Sequence, residues 1–240
     1  MQLTVLGCYG PYPVAGESCS GYLLQDEETT VLLDCGNGVL SQLLYYCEPA
    51  NLDAIILSHL HSDHIGDIKI LRYMLLNMPT NQSLTVYAPS EPTKEFELIP
   101  YKHCLQVKPL STTTKIKLGR MYFSFTAGVH SVPSYIATVE MNGKKLVYSG
   151  DTEYFDGLND VVKGADLFLC EANYLRQDIE KGHANHLAAF QAAQAAAAGG
   201  VKRLVLTHHH PDRNPLQALA EAQQVFPPTE LARTGSVYFL

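Results

Sequence analysis

The sequence predicts an α/β protein folded as one layered domain over residues 1–240. Three observations carry that expectation. Strand-length apolar runs stop abruptly at Gly, Asp or His, stretches with helical spacing alternate with them, and no linker-like segment divides the chain. At 240 residues, with 46% hydrophobic and 17% charged content, the chain is long enough for a sizeable core and ordinary in composition. The two halves share a rhythm of sheet, then strand plus helix, then a histidine after a strand. No residue-level repeat accompanies it, so the expectation is two similar halves within one domain.

In chain order, "LTVLG", "GYLLQ", "TTVLLDCG" and "DAIILSH" alternate or run apolar and read as strands. "VLSQLLYYC" has helical spacing and follows the turn-like "CGNG". "DIKILRYMLLNM" reads as an amphipathic helix ended by Pro79. "SLTVYAP" and the stretch from Ile116 to Phe125 return to strands, with a looser region between them. "IATVEMNGKKLVYSG" predicts a hairpin, because Asn142-Gly143 suits a type I′ turn. "ADLFLCEA" and "KRLVLTH" read as buried strands, "HLAAFQAAQAAAA" as a helix ended by Gly199-Gly200, "PLQALAEAQQVF" as a further helix and "SVYFL" as a closing strand.

The apolar runs are too short and too often broken for a membrane span. The start "MQLTVLGCYG" lacks the basic residues and long apolar stretch of a signal peptide. The six cysteines (Cys8, Cys19, Cys35, Cys47, Cys104, Cys170) include no CxxC pair, which suits reduced thiols in a cytoplasm. A net charge of −7 without a basic run argues against broad nucleic-acid binding.

The densest chemistry lies in "LSHLHSDHIGD". His59 and His61 are two residues apart at a strand end, so both can point the same way, and Asp63 and His64 follow at a helix start. Nitrogens and a carboxylate converging there suit a divalent metal of the zinc class. Three later residues sit just past strand ends: His130 in "FTAGVHSVPSY", Asp151 in "LVYSGDT" and His208 in "LVLTHHHP". Open α/β sheets place their sites at such ends. His209 and His210 are alternatives to His208, which is favoured because it ends the apolar strand.

This ordered set, His59, His61, Asp63, His64, His130, Asp151 and His208, resembles the metal motifs of the metallo-β-lactamase superfamily. Asp34 in "VLLDCGNG" matches that superfamily's early structural aspartate, which supports the metal loop. The resemblance spans most of the chain. It implies an αββα four-layer sandwich, two β-sheets faced by helices, with a two-metal site at one edge. By the same resemblance His59, His61 and His130 hold one metal, and Asp63, His64 and His208 hold the other. Asp151 bridges them. The implied cofactors are two divalent ions, Zn2+ first, with Mn2+ and Fe2+ as alternatives.

"HSVPSYIATVE", "SGDTEYFDGL", "LCEANY", "NHLAAFQAAQAAAAGG" and "LVLTH" resemble the ribonuclease Z-like phosphodiesterase branch. In that branch a glutamate and a histidine pair near the leaving group; here they are Glu171 and His186. His183 reads as a loop residue and His103 as structural or solvated. A hydroxide held between two metals is a nucleophile at neutral pH, and the metals neutralise phosphoryl charge. The resemblance makes Asp63 the acceptor of the water's proton. A departing alkoxide needs a proton, which His186 oriented by Glu171 can supply. "GCYGPYPVAGESCSGY" looks like the family's glycine-rich loop bordering the site; its Gly and Pro are read as shaping the turn, ahead of Ser18 or Tyr12 touching substrate.

One departure decides the substrate expectation. Ribonuclease Z proper carries a long Gly/Pro-rich arm that clamps tRNA, inserted after the histidine equivalent to His130. Here only a compact hairpin separates His130 from Asp151. The favoured activity is therefore a two-metal phosphodiesterase for small or single-stranded phosphodiesters, cyclic nucleotides included. Processing of tRNA precursors at the 3′ end is the runner-up, and lactam, thioester or glyoxalase-type hydrolysis comes third. A non-catalytic metal-binding scaffold or sensor is the reading from another class. The expected partners are a small-molecule or short nucleotide phosphodiester and a second copy of the chain in a homodimer. Neither a membrane nor stable binding to folded nucleic acid is expected.

Overall fold

The computed structural model describes residues 1–79 and 83–240. The early apolar runs form β1 (Gln2–Gly7), β2 (Gly21–Gln25), β3 (Thr30–Leu33) and β4 (Ala54–Ile56). Side chains alternate across a strand, so each run feeds two cores at once. Leu3, Tyr22, Val31 and Ile56 point into one buried cluster, while Leu6, Leu23, Leu32 and Ile55 point into another. These runs are nearly continuous in apolar residues because both faces are covered. β5 (Leu84–Pro89) and β6 (Leu105–Leu110) extend the sheet. Among the helices of this half are α1 (Val39–Leu43), the single turn α2 (Ser62–Ile65), α3 (Ile68–Asn77) and the short α4 (Thr93–Glu97).

The second half opens with an antiparallel meander, β7 (Lys115–Leu118), β8 (Met121–Ala127), β9 (Tyr135–Met141) and β10 (Lys144–Tyr148). Asn142 at φ 52° and Gly143 at φ 73° make the predicted left-handed turn between β9 and β10. Then follow α5 (Leu158–Val162), β11 (Leu167–Glu171), α6 (Arg176–Glu180), α7 (Ala189–Gly199), β12 (Leu204–Thr207), α8 (Pro215–Gln223), β13 (Thr229–Leu231) and β14 (Val237–Phe239).

The strands make two seven-stranded sheets, in the orders β14-β1-β2-β3-β4-β5-β6 and β13-β12-β11-β10-β9-β8-β7. Each is antiparallel on one side and parallel on the other: β3 to β6 run parallel in the first, β10 to β13 in the second. The inner faces meet in a core that includes Tyr22, Phe123, Val139, Tyr148 and Leu169. Val39, Leu43, Leu71 and Leu75 bring α1 and α3 onto the outer face of the first sheet. Leu158, Ala192, Ala196 and Ala222 bring α5, α7 and α8 onto the second. The result is the four-layer α/β sandwich that the sequence predicts, a metallo-β-lactamase fold.

Several elements differ from the sequence expectation. The strand read from Ile116 to Phe125 is a hairpin, β7 and β8, turning at Gly119, whose φ of 52° suits glycine. The looser region holds α4 and β6, and Pro109 is tolerated in β6 because that strand lies at the sheet edge. α7 begins at Ala189, which leaves His186 in the preceding loop. Among the described residues no helix is long and apolar enough to cross a membrane.

Candidate metal centre

The carboxyl ends of β4, β8, β10 and β12 deliver the candidate ligands to one edge of the sandwich. After β4, His61 holds an extended conformation (φ −70°, ψ 152°) immediately ahead of α2, whose first turn carries Asp63 and His64. His59 and His64 are fully buried and Asp63 nearly so. Asp34, buried and left-handed at φ 56°, organises this loop. Its carboxylate accepts hydrogen bonds from Ser58 N (2.7 Å), Ser58 Oγ (2.8 Å), Tyr148 OH (2.6 Å) and His64 Nδ1 (2.7 Å). Ser58 Oγ in turn accepts from His59 Nδ1 at 3.1 Å. Fixing both Nδ1 atoms turns both Nε2 atoms toward the other candidate ligands, as second-layer partners do in metal sites.

Seven side chains from both sheets meet there. His59 Nε2 and His130 Nε2 lie 3.1 and 3.0 Å from His61 Nδ1. His208 Nε2 lies 3.1 Å from Asp63 Oδ2 and 3.3 Å from Asp151 Oδ2. His64 Nε2 lies 3.6 Å from Asp63 Oδ2 and 3.4 Å from Asp151 Oδ1. Asp151 Oδ2 is also 3.7 Å from His59 Nε2, so this carboxylate spans the two groups. His130 is held from behind, its Nδ1 donating to Asn185 O at 2.7 Å.

The set fits a metal on two grounds. Tetrahedral ligands at zinc distances stand about 3.3 Å from one another, close to the separations seen here. In addition, His64 Nε2 and Asp151 Oδ1 are buried without a hydrogen-bond partner among the described residues. An unpartnered buried polar atom is costly unless something else satisfies it. His59, His61 and His130 form one candidate group and Asp63, His64, Asp151 and His208 a second, while His186 enters two overlapping sets, with His130 and Asp151 and with Glu171 and His208.

The electrostatics point the same way. Burial drives the His59 pKa well below the usual imidazole value and that of His130 down to about 4, so both are neutral, the form that ligates. Burial works against ionisation of Asp151, but the imidazoles of His208, His64 and His59 outweigh it and hold the carboxyl well below the usual range. His64 resists burial because Asp151, Asp63 and Asp34 raise its pKa. A cation at its Nε2 would displace that proton.

Beside this cluster stands the pair Glu171 and His186. Glu171, fully buried at the end of β11, accepts from Thr152 N at 2.8 Å and from His186 Nδ1 at 3.0 Å. Burial works to lower the His186 pKa, yet the Glu171 carboxylate raises it to about 9. The His186 ring stacks on His208, centroids 5.3 Å apart and planes 22° apart, and Asp151 Oδ2 lies 3.7 Å from its Nδ1.

The other expectations fall out by geometry. His209 turns away, its Nε2 donating to Ala232 O at 3.0 Å, and His210 Nδ1 accepts from Asp212 N at 3.2 Å. His208 alone of the three faces the cluster. His183 is exposed and packs edge-on against Tyr174, outside all four candidate ligand groups. Ser18 is buried under Gly38, and Tyr12 OH donates to Asp212 Oδ2 at 2.8 Å across the rim. Sequence reasoning missed Ser58, Tyr148 and Asn173, whose Nδ2 donates to Gly10 O (2.9 Å) and His208 O (3.1 Å). It also missed the reason for Gly10: a Cβ there would stand 1.9 Å from His208 Nε2. A glycine facing a metal-type histidine is a signal that "CYGPYP" did contain.

Comparison with known proteins agrees with this geometry. A family model described as a β-lactamase superfamily domain matches residues 29–209. The probable metallo-hydrolase YhfI of Bacillus subtilis is 35% identical over 214 residues, covering 87% of this chain and 86% of that protein. The YhfI crystal structure, a metallo-β-lactamase fold protein, superposes with a TM-score of 0.93 at 30% identity, covering 99% of this chain and 98% of that one. Ribonuclease Z of Brevibacillus brevis is 29% identical over 300 residues, covering 97% of this chain and 94% of that protein. The short form of human tRNase Z shares the fold, with a TM-score of 0.77 at 23% identity, covering 100% of this chain and 99% of that one.

Proposed function

The chain belongs to the β-lactamase superfamily and is a metallo-hydrolase, and on that premise we propose that it cleaves small or single-stranded phosphodiesters. The observation that carries this reading is the Glu171–His186 pair beside the ligand cluster. A thiolate leaving a thioester departs without a proton, whereas an alkoxide leaving phosphorus needs one.

In this reading His59, His61 and His130 would hold one divalent ion, and Asp63, His64, Asp151 and His208 would hold a second. The nitrogen-rich set favours zinc. When bound, such ions would supply an acidified water and neutralise charge on a phosphoryl oxygen. The chain's own residues do the rest. Asp63 takes a proton from the attacking water as its oxygen bonds to phosphorus. The bond from phosphorus to the leaving oxygen breaks, and His186 gives that oxygen a proton from Nε2. Glu171, hydrogen-bonded at Nδ1, keeps the imidazole in the donating form. Gly10 lets the backbone lie against His208, where any Cβ would collide with the ring.

Likeness to ribonuclease Z supports a second reading, 3′ processing of tRNA precursors. Against it, the alignment with the Brevibacillus enzyme runs over 300 positions while this chain has 240 residues, so the ribonuclease carries insertions lacking here. The net charge of −7 offers no general attraction for folded RNA. The test is a side-by-side kinetic comparison of one metal-loaded preparation. Bis-p-nitrophenyl phosphate and a cyclic nucleotide or short oligonucleotide should be cleaved, and a tRNA precursor scarcely. A precursor with a 3′ trailer that exceeds every small diester in kcat/KM by orders of magnitude would reverse the order of the two readings.

A further inference from the structure

β4 and β5 are parallel neighbours, so the segment after Pro89 emerges at the same edge as His59 and His61. That segment forms α4 and folds back toward α2 and α3, enclosing a groove of about 330 Å³. Ser62, between His61 and Asp63, forms the near lip. Ile65, Ile68, Leu98 and Ile99 give it an apolar lining, and Lys69 and Lys94 line it beside them. On α2, Asp63 and His64 face the cluster while Ser62 and Ile65 face the groove. One helix, about 10 Å thick, separates the two.

The charge of this groove is opposite to that of the molecule. Among the described residues, the Lys and Arg side chains in ion pairs are Arg120, Lys144, Lys202, Arg203 and Arg213. Lys69 and Lys94 are exposed, and among the described residues neither has a carboxylate at ion-pair distance. Among the described residues Glu95 is the one acid lining the groove, so two ammonium groups face one carboxylate in a chain of net charge −7. Ammonium groups are point-charge partners for phosphate, and an apolar lining accepts the face of a base.

We infer that the groove binds the nucleotide flanking the scissile diester, with Lys69 and Lys94 on its terminal phosphate, so that the preferred substrates carry a second phosphate. This rests on the phosphodiesterase reading above and adds a subsite to it. A cluster that grips one phosphorus cannot rank one diester above another. A charged groove one helix away can do so, through KM and in a salt-dependent way.

The probes are a 5′-phosphorylated diadenosine dinucleotide, the same dinucleotide without its 5′ phosphate, and bis-p-nitrophenyl phosphate. The wild-type, metal-loaded enzyme should favour the phosphorylated dinucleotide over the unphosphorylated one by about tenfold in kcat/KM, as two surface charge contacts allow. The double variant K69A/K94A should lose that preference through KM and keep its rate on bis-p-nitrophenyl phosphate. The control K144A/K202A removes the same charge at the opposite, amino-terminal ends of β10 and β12, and should keep the preference. The inference is overturned if wild type treats both dinucleotides alike, if the preference survives in K69A/K94A, or if it falls equally in the control. Inactivity toward all three probes would instead remove the phosphodiesterase reading, and the inference with it.

Discussion

Asp34 touches none of the space between the ligand groups, yet four hydrogen bonds end on its carboxylate. Asp34→Asn keeps the shape but can no longer accept from both Ser58 and His64 as an anion. The expected outcome is a 10–100-fold weaker metal affinity, the usual cost of losing such a partner, measured by competition with a chelating dye. Asp34→Ala should also destabilise the fold by about 1–3 kcal/mol for each stranded donor, read from urea unfolding. His186 provides a second test at this scale. As an acid it works only when protonated, and its pKa is raised to about 9, so activity on a poor leaving group should hold through neutral pH and fall as pH rises through about 9. Glu171→Gln removes the charge that causes the rise and should move that limb to lower pH. His186→Ala should keep its metal and lose about 10²–10⁴-fold on a poor leaving group, and less on nitrophenolate. Equal losses on both would take His186 out of the acid role.

At the scale of elements, the tight turn between β9 and β10 is the plainest case of sequence dictating geometry. Gly143 has open space around it but φ 73°, so Gly143→Ala should cost about 1–2 kcal/mol in urea unfolding through backbone strain alone. Asn142-Gly143 was legible because the turn chemistry is local, and so were the buried strands, whose apolar runs need no partner to be recognised. β6 was not legible. In "LQVKPL" the proline and the exposed polar residues erase the period, and only the parallel pairing with β5 makes it a strand. The start of α7 was misplaced for a similar reason. Tyr174 N donates to Leu187 O and Ala189 N to Tyr174 O, both at 3.1 Å, which holds the His186 loop extended ahead of the helix. No local signal in "NHLAAF" announces that contact. The metal-type residues were legible through their position after strands, whereas the groups behind them, Ser58, Tyr148 and Asn173, look like ordinary loop or core residues until the two sheets are brought together.

For the whole molecule, the decisive fact is that the first sheet supplies His59, His61, Asp63 and His64 while the second supplies His130, Asp151 and His208. A cation held there ties the two halves. Elemental analysis of chelator-free protein should approach two divalent ions per chain. Saturating metal should raise the Tm of the chelated form, because a ligand at 100 times its Kd adds about 2.7 kcal/mol to stability. Hydrogen exchange should show the gain at the carboxyl edge, in the loops after β4, β10 and β12. Unchanged Tm and exchange on chelation would mean that the halves hold together without help from the ions. Synthesis of the chain has a further stake in this arrangement. The ribosome delivers His59, His61, Asp63 and His64 early and His208 last, after β12. A nascent or truncated chain that ends before β12 therefore displays imidazoles and carboxylates with their final partner missing. Such a product lacks His208, and on the proposed ligand set hydrolysis would become available only once β12 and the turn after it have been laid down.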